Sequence, residues 1–592
     1  MQSPLSYKVF TQEATGAKAK QLQKAGASCR AILKTAPGDV KCMHALALIE
    51  CQLGRLIEAQ KWLARALAVS PDSADLQCHY GLVLLELEKY DKAVTAFTRT
   101  IALVPDHLEA HYRLGSALSK KGEIKEAEEV YRRVLLLKPD HVDALNNLGN
   151  IMNKTGKPAE AINCFRRAIA ADPTFVMAYN NVGLTLVSLG QLDAAEAFYR
   201  HAIALKPDYP EAINNLGIVF GLVDRFDEAK FQYRKALELR PNYPEALSNL
   251  GNVCKDCGEM DDAIRHYKKS VSLKDSAEFR HNLALTLLAV GRFDEGWREY
   301  ESRWGTKQLG SAQRSFKQPQ WQGEDAEGRT LLIHAEQGFG DTLQFCRYAK
   351  LAKARGMRVI MAVPRALVKL IGSLDGVDHA VVDDRPLPNF DLHCPMLSLP
   401  LAFGTRWDTI PANIPYLAAK TQAVAAWGER LPDAKGALRV GLVWAGSERK
   451  GSQDLIATNR RRSLAPELLR PLINVPGVQF YSLQKTGTPA PADFNLIDYM
   501  ADCGDFADTA ALVANLDLVI SVDTAMVHLT GALGKPVWVL NRFNSCWRWF
   551  REGEHSPWYP TLRLFRQPRF GDWESVIAHV RDELRHSKPP SP

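Results

Sequence analysis

Seven prolines keep strict time through the first half of the chain. Pro37, Pro71, Pro105, Pro139, Pro173, Pro207 and Pro241 stand 34 residues apart without exception. Twelve residues before each lies an alanine: Ala25, Ala59, Ala93, Ala127, Ala161, Ala195 and Ala229. Gly81, Gly115, Gly149, Gly183, Gly217 and Gly251 keep the same period. A period of this length over more than 200 residues commits the chain to stacked copies of one small unit, each burying its apolar face on its neighbours.

Each unit reads as two short helices. Between 142 and 175 the first is VDALNNLGNIMNKTG and the second PAEAINCFRRAIAAD, with apolar residues at i, i+3 and i+4. The alanine and glycine positions allow close helix crossing, and each proline ends one unit and opens the next turn. The pattern resembles the tetratricopeptide repeat. Units run from about 6–39, which is degenerate, to 244–276, and FRHNLALTLLAVGRFDEGWREYESRW, out of phase by one residue, reads as a cap. Cys254 and Cys257 form a C-x-x-C inside a repeat helix with no second pair at zinc spacing, so they read as core thiols.

Asn147, Asn181, Asn215, Asn249 and the shifted Asn282 sit one turn into successive first helices. An amide both donates and accepts, so a column of them can hold an extended backbone without reading its side chains. The column resembles the asparagine ladder of O-GlcNAc transferase, which implies an acceptor polypeptide in the groove; the other reading is a solvated polar face. His79 and Arg113 take this place in earlier repeats, which confines the ladder to the later ones.

Eleven of the twelve tryptophans lie from Trp297 onward, and short apolar runs replace the helical period. We expect repeats over 1–305, a polar linker over 306–328, and an α/β region over 329–592. The strand candidates are TLLIHAE, MRVIMAV, HAVV, RVGLVWAG, VQFYSLQ, LDLVISVD and PVWVL, with helical segments between them. That alternation predicts parallel sheets covered by helices, in two Rossmann-like lobes divided by a loop-like stretch at about 405–437, with ligands at the carboxyl ends of strands.

Three motifs fall at such ends. Glu336-Gln337-Gly338-Phe339-Gly340-Asp341 joins a strand to a helix; its glycines admit a close ligand, and Asp341 reads either as a general base or as a helix cap. In Ser521-Val522-Asp523-Thr524-Ala525-Met526-Val527-His528, Thr524 and the amides of 524–526 can hold phosphate, while Asp523 can serve as an N-cap. Gln484 and Lys485 end a further strand, where the lysine can neutralise a departing phosphate or lie in solvent. Arg461 and Arg462, in ATNRRRSL, read as phosphate ligands or as a basic loop; Trp547, Arg548 and Trp549 read as a sugar pocket or as core.

Strand–GxGD–helix followed by strand–DTxxxH–helix–GKPV–strand resembles the heptosyltransferase family of GT-B glycosyltransferases, over most of 329–590. With GLVWAG, SLQK, WRWF and SPWYP, it is similar to bacterial proteins that join tetratricopeptide repeats to such a domain, some of which modify flagellin. The fold expected is an all-α tetratricopeptide-repeat solenoid followed by an α/β GT-B domain, its first lobe over 329–420 and its donor-binding second lobe over 421–592. The resemblance implies that Asp341 is the base, and that Gly338, Gly340, Gln484, Lys485, Asp523, Thr524, Ala525, Met526 and His528 border a nucleotide-sugar. Ala525-Met526 departs from the family's Gly-Pro or Gly-Leu, so the sugar pocket differs.

The expected activity is inverting transfer of a sugar to Ser or Thr of a protein, flagellin first among acceptors, from a donor that flagellin chemistry suggests is CMP-linked. An interaction scaffold with an inert domain and a transferase acting on a glycan or lipid-linked acceptor remain as alternatives. No cofactor is expected. No Asp-x-Asp occurs in the chain, so a metal-bridged diphosphate is not indicated. The 592 residues carry a net charge of only +7, which gives no reason to expect a nucleic-acid partner. No apolar run is long enough to span a bilayer, the start MQSPLSYKVFTQEATGAK lacks a signal-peptide pattern, and eleven scattered cysteines read as reduced thiols in the cytoplasm.

Overall fold

The computed structural model describes residues 15–447, 451–487 and 489–587. The start of the degenerate first unit, and most of the segment tested for a leader, lie outside them. Contacts divide the chain into two compact units, residues 1–212 and 213–592.

The first unit is a stack of helix pairs, among them Ala74–Glu86 with Tyr90–Leu103 and Val142–Lys154 with Pro158–Ala171. The glycine period has a steric cause. A Cβ placed on Gly81, Gly115, Gly149 or Gly183 would come within 2.5–2.9 Å of the ring of Phe97, Tyr131, Phe165 or Tyr199, sixteen residues on. Each first helix therefore carries a glycine so that the aromatic of its partner can lie flat against the backbone. The periodic alanines, Ala59 to Ala195, are fully buried. The second unit continues the pattern in Pro210–Leu222 with Phe226–Leu239, Pro244–Asp256 with Met260–Leu273, and Ala277–Ala289 with Phe293–Tyr300. There Gly217 and Gly251 face Tyr233 and Tyr267 in the same way.

Two sheets follow. The first contains β1 (Thr330–His334), β2 (Arg358–Val363), β3 (His379–Val382) and β4 (Leu392–Pro395), all parallel, in the order β3-β2-β1-β4. The second contains β5 (Leu438–Val443), β6 (Val478–Ser482), β7 (Ile497–Asp498), β8 (Leu518–Val522), β9 (Val537–Asn541), β10 (His555–Ser556) and β11 (Tyr559–Arg566). Its order is β10-β11-β9-β8-β5-β6-β7, with only β10 antiparallel. Leaving out β10, this is the doubly wound order 3-2-1-4-5-6, in which connections leave β5 toward opposite edges and open a crevice at the carboxyl ends of β5 and β8. Two stretches read as loops contain helices: Thr421–Arg430, within 405–437, and Gln453–Arg462, which includes the NRRR run.

Sequence composition placed a linker at 306–328 and a boundary at 305, but the contact boundary falls at 212/213, inside the repeats. Residues 319–321 run beside β4, with the Trp321 N–H donating to the His393 carbonyl (2.8 Å) and the His393 N–H to the Pro319 carbonyl (3.2 Å). Trp321 is fully buried, and Phe316 packs on His334, His393 and Phe390. The last repeat also shares one apolar core with both sheets, through Leu288, Phe293, Trp297 and Tyr300.

The joint is polar at its centre. Arg303, fully buried after the last repeat helix, donates to Glu336 through Nε (2.9 Å) and Nη2 (3.1 Å), to Glu301 (2.7 Å) and to the Ser398 hydroxyl (2.7 Å). Burial opposes its charge, but Glu336 and Glu301 outweigh burial and hold the guanidinium above its ordinary range. Glu336 also accepts the Leu397 N–H (2.8 Å), so Arg303 ties the last repeat to the ends of β1 and β4.

Removing one member of such a pair strands the other's charge in the core. Arg303→Ala should cost about 3–5 kcal/mol of stability in denaturant unfolding. A loss below about 1 kcal/mol, the worth of an exposed pair, would contradict this account of the joint.

Candidate functional site at the strand ends

The two sequence motifs come together. The short helix Phe339–Phe345 follows β1, and the helix Ala525–Ala532 follows β8. They touch at Gly340, where an added Cβ would lie 2.9 Å from the His528 ring and 3.5 Å from the Ala525 Cα. Glycine on one helix and alanine on the other allow the approach. Phe339, exposed, meets Phe506 beside this contact with its ring tilted (5.1 Å between centroids).

Asp341 lies in the first turn of its helix, and both of its oxygens are engaged. Oδ2 accepts the Gly338 N–H (3.1 Å), which is the capping role; Oδ1 pairs with Nη2 of Arg548. The side chain remains partly exposed, at 20%. Arg548 also donates through Nε to the buried Gln344 (2.7 Å) and lies over the Trp547 ring (4.4 Å). Burial works against its charge, and Asp341 more than offsets this, holding the guanidinium above its ordinary range. Arg548 is thus neither pocket wall nor plain core: it is the cation beside the candidate base.

His528 is buried, its Nδ1 is 3.0 Å from the Tyr559 hydroxyl, and its ring stacks on Trp549. Burial, then the charges of Arg548 and Arg347, push the imidazole well below its ordinary range, so it is neutral. His528 therefore works as a packing element between helices. Arg347 completes the layer, donating to the Trp558 carbonyl (2.7 Å) and the Tyr416 hydroxyl (2.9 Å).

At the crevice of the second sheet the cap is Thr524, whose hydroxyl accepts the Met526 N–H (3.3 Å) and lies 3.1 Å from the Ser521 hydroxyl. Asp523, read as a donor neighbour or as a cap, does not cap this helix; its backbone carbonyl accepts from Arg462 (3.3 Å). Gly446, beyond β5, leaves the space that the Arg462 guanidinium occupies, and its N–H donates to Ser463 (3.2 Å). Ser521, Thr524 and Arg462 thus converge where the doubly wound order opens.

Other expected ligands are spent elsewhere. The Gln484 amide accepts the N–H groups of Trp444 and Ala445 (3.1 Å each) and donates to the Ala445 carbonyl (2.9 Å), pinning the loop after β5. Lys485 is exposed and donates to the Cys503 carbonyl (2.9 Å). Arg461 does not face the crevice: it pairs with Asp224 (2.7 Å) and Asp256 (2.9 Å) of the repeats and donates to the Gly221 carbonyl (2.6 Å). Arg460 joins it on Asp224 (2.6 Å). Of the two arginines read as phosphate ligands or as a basic loop, Arg461 therefore joins Arg460 in a clasp between repeats and sheet, and Arg462 alone faces the crevice.

Within each unit the column residues bond to neighbours outside the column. Asn181 donates to Asn146 (2.8 Å) and accepts from Asn180 (3.3 Å), and Asn249 donates to Asn214 (3.0 Å). Asn147 donates to Tyr131 (3.2 Å), and two repeats before Asn147 His79 meets His44 at 2.7 Å. Asn282 lies part-buried on the cap repeat. The partner asparagines, one residue before the column, carried no signal that sequence reading used.

Among the described residues, no helix is long and apolar enough to cross a membrane, and no cluster of three or more His, Cys, Asp or Glu suited to a metal ion occurs.

A model for the tetratricopeptide repeat matches residues 39–106, and one described as the cilia and flagella-associated protein 70 C-terminal domain matches 106–313. Protein FlbA of Caulobacter vibrioides is 28% identical over 341 residues, 53% of this chain and 56% of FlbA. The match thus spans little more than half of that relative's length. Among solved structures, a tetratricopeptide repeat protein from Parabacteroides merdae is 17% identical with a TM-score of 0.38, covering 42% of this chain and 98% of that one. TTC0263 of Thermus thermophilus is 26% identical with a TM-score of 0.27, covering 31% and 98%. The chain thus carries tetratricopeptide repeats and is similar to FlbA over part of its length.

Burial near the site also makes stability depend on pH, most simply at His334. His334, at the end of β1 and beside His393 (3.4 Å), is pushed down to about 3 by burial, then by the His393 and Arg314 charges. In the unfolded chain its pKa is near 6.5. Between these values the unfolded state binds the proton and the native state does not, so acid destabilises the fold. Below about pH 6.5 this group should remove up to roughly 1.4 kcal/mol per pH unit, a contribution that His334→Gln takes out of the slope in denaturant unfolding. Parallel profiles for the two proteins would contradict this.

Proposed function

We propose that the chain is a protein O-glycosyltransferase: the repeats hold a polypeptide, and the two sheets act as the lobes of a GT-B enzyme that moves a sugar from a nucleotide onto its Ser or Thr. The observation that carries this reading is the meeting of the GFGD and DTAMVH helices at Gly340, which brings a partly exposed carboxylate beside the crevice at β5 and β8. That juxtaposition gives a substitution at an anomeric carbon its two requirements, a base for the attacking hydroxyl and donors for the leaving phosphate.

In this scheme Asp341 takes the acceptor proton. Each oxygen has one partner, and a carboxylate oxygen has a second lone pair to offer. Arg462, Thr524 and the amides at the start of Ala525–Ala532 face the departing phosphate. Displacement through an oxocarbenium-like transition state with one base inverts the sugar. Gln484 and His528 shape these loops and do not touch the donor. In the groove, Asn181 keeps one N–H and one lone pair after its bonds to neighbours, enough for a peptide backbone. Flagellin is the leading acceptor, a CMP-linked sugar the leading donor, and the cytoplasm the compartment.

A second reading is an interaction scaffold whose sheets are inert. It is favoured by the engagement of both Asp341 oxygens, as in a purely structural cap. Asp341→Asn separates the two readings, because asparagine caps about as well as aspartate. An enzyme should keep its Tm and donor affinity and lose transfer by roughly 10²–10⁴. Transfer near the wild-type rate would remove Asp341 from the chemistry, and failure to bind any nucleotide-sugar would favour the scaffold.

The groove is tested separately. Changing Asn147, Asn181, Asn215 and Asn249 together to Ala removes bonds worth about 0.5–1.5 kcal/mol each. Acceptor binding should weaken while donor hydrolysis persists, with helicity followed by circular dichroism; unchanged acceptor affinity would show that these amides serve only their neighbours.

A further inference from the structure

Arg548 belongs to the turn Trp547–Trp549, between β9 and β10, yet its head group is spent on the helix after β1. Nε donates to Gln344 at 2.7 Å, and Nη2 to Asp341. These two acceptors lie three residues apart, on one face of Phe339–Phe345. One planar fork therefore grips the helix at two points and fixes its rotation, which a lysine with a single head could not do. The arginine is itself held. Its guanidinium rests on the Trp547 ring, Nη1 is 3.3 Å from the Cys546 sulfur, and the chain leaves the turn through Phe550 at φ 53°, a conformation costly for a bulky residue. Phe550 is kept there by Trp407 (4.6 Å) and Phe293 (6.1 Å).

We propose that Arg548 is a positioning residue: reaching from the second sheet, it orients the Asp341 carboxylate for proton abstraction, so the base is assembled only when the turn at 546–550 is docked on the first sheet's helix. This rests on the glycosyltransferase reading. A plain stabilising pair would contribute to folding alone. A positioning pair acts on turnover and only through Asp341.

A double-mutant cycle on transfer distinguishes these. The donor is whichever of the UDP-, GDP-, ADP- and CMP-sugars wild type uses, with purified flagellin as acceptor. Arg548→Gln should lower kcat by roughly 10–10² while donor KM stays within about twofold, the signature of lost orientation. Arg548→Lys, which keeps the charge without the fork, should stay about fivefold or more below wild type. In an Asp341→Asn background, Arg548→Gln should slow transfer by less than about twofold, because residues acting as one unit are not additive. If the glutamine variant does not fold, the lysine variant carries the same cycle. Equal losses from Arg548 replacement in both backgrounds, or a change in KM with kcat intact, would overturn the inference while leaving the enzyme reading in place. A wild-type chain that transfers no sugar from the panel would overturn that reading and this inference with it.

Discussion

The buried Arg303 guanidinium is the contact on which the sheet-bearing unit depends. It is the last polar residue of the repeats, and its partners Glu336 and Ser398 follow β1 and β4 of the first sheet. Desolvating such a charge is costly unless it is fully paired. Here Glu336, Glu301, Ser398 and the Tyr300 carbonyl surround it. The same contact immobilises Glu336, two residues before Gly338. The loop that carries Asp341 is thus anchored at its start by the cap repeat and at its end by Arg548.

A second clasp works alongside the first. Arg460 and Arg461, at the end of the helix Gln453–Arg462, reach Asp224 and Asp256 in two successive repeats. Asn544, in the segment leading to Arg548, also donates to Asp256 (3.2 Å). The neighbouring Arg462 points the other way, into the crevice at β5 and β8. One short helix therefore connects a repeat surface with a candidate phosphate site. In the proposed function, a polypeptide held by these repeats would lie on elements that share side chains with the reaction centre.

The repeats were legible because their constraint is local and recurs. Each glycine faces an aromatic sixteen residues on, and the same collision repeats until chance is excluded. The sheets were legible from apolar runs, except β4, which is short and ends in Pro395, and β7, β10 and β11 near an edge. What escaped was set by distant partners. Segment 306–328 is polar enough to pass for a linker, but Trp321 and Phe316 find a surface on β4 that no local pattern announces. Arg461 meets its acidic partners 205 and 237 residues away, and Arg548 meets Asp341 across 207. The motifs located the candidate site, and the fold redistributed its roles: Thr524 caps in place of Asp523, Gln484 pins a loop, and His528 packs.

The most direct measurement of the central claim is the intact mass of flagellin taken from cells that carry this chain, lack it, or carry it with Asp341→Asn. The account predicts a mass excess of whole glycosyl units with the wild-type chain, lost in the other two. An identical flagellin mass in all three would contradict it.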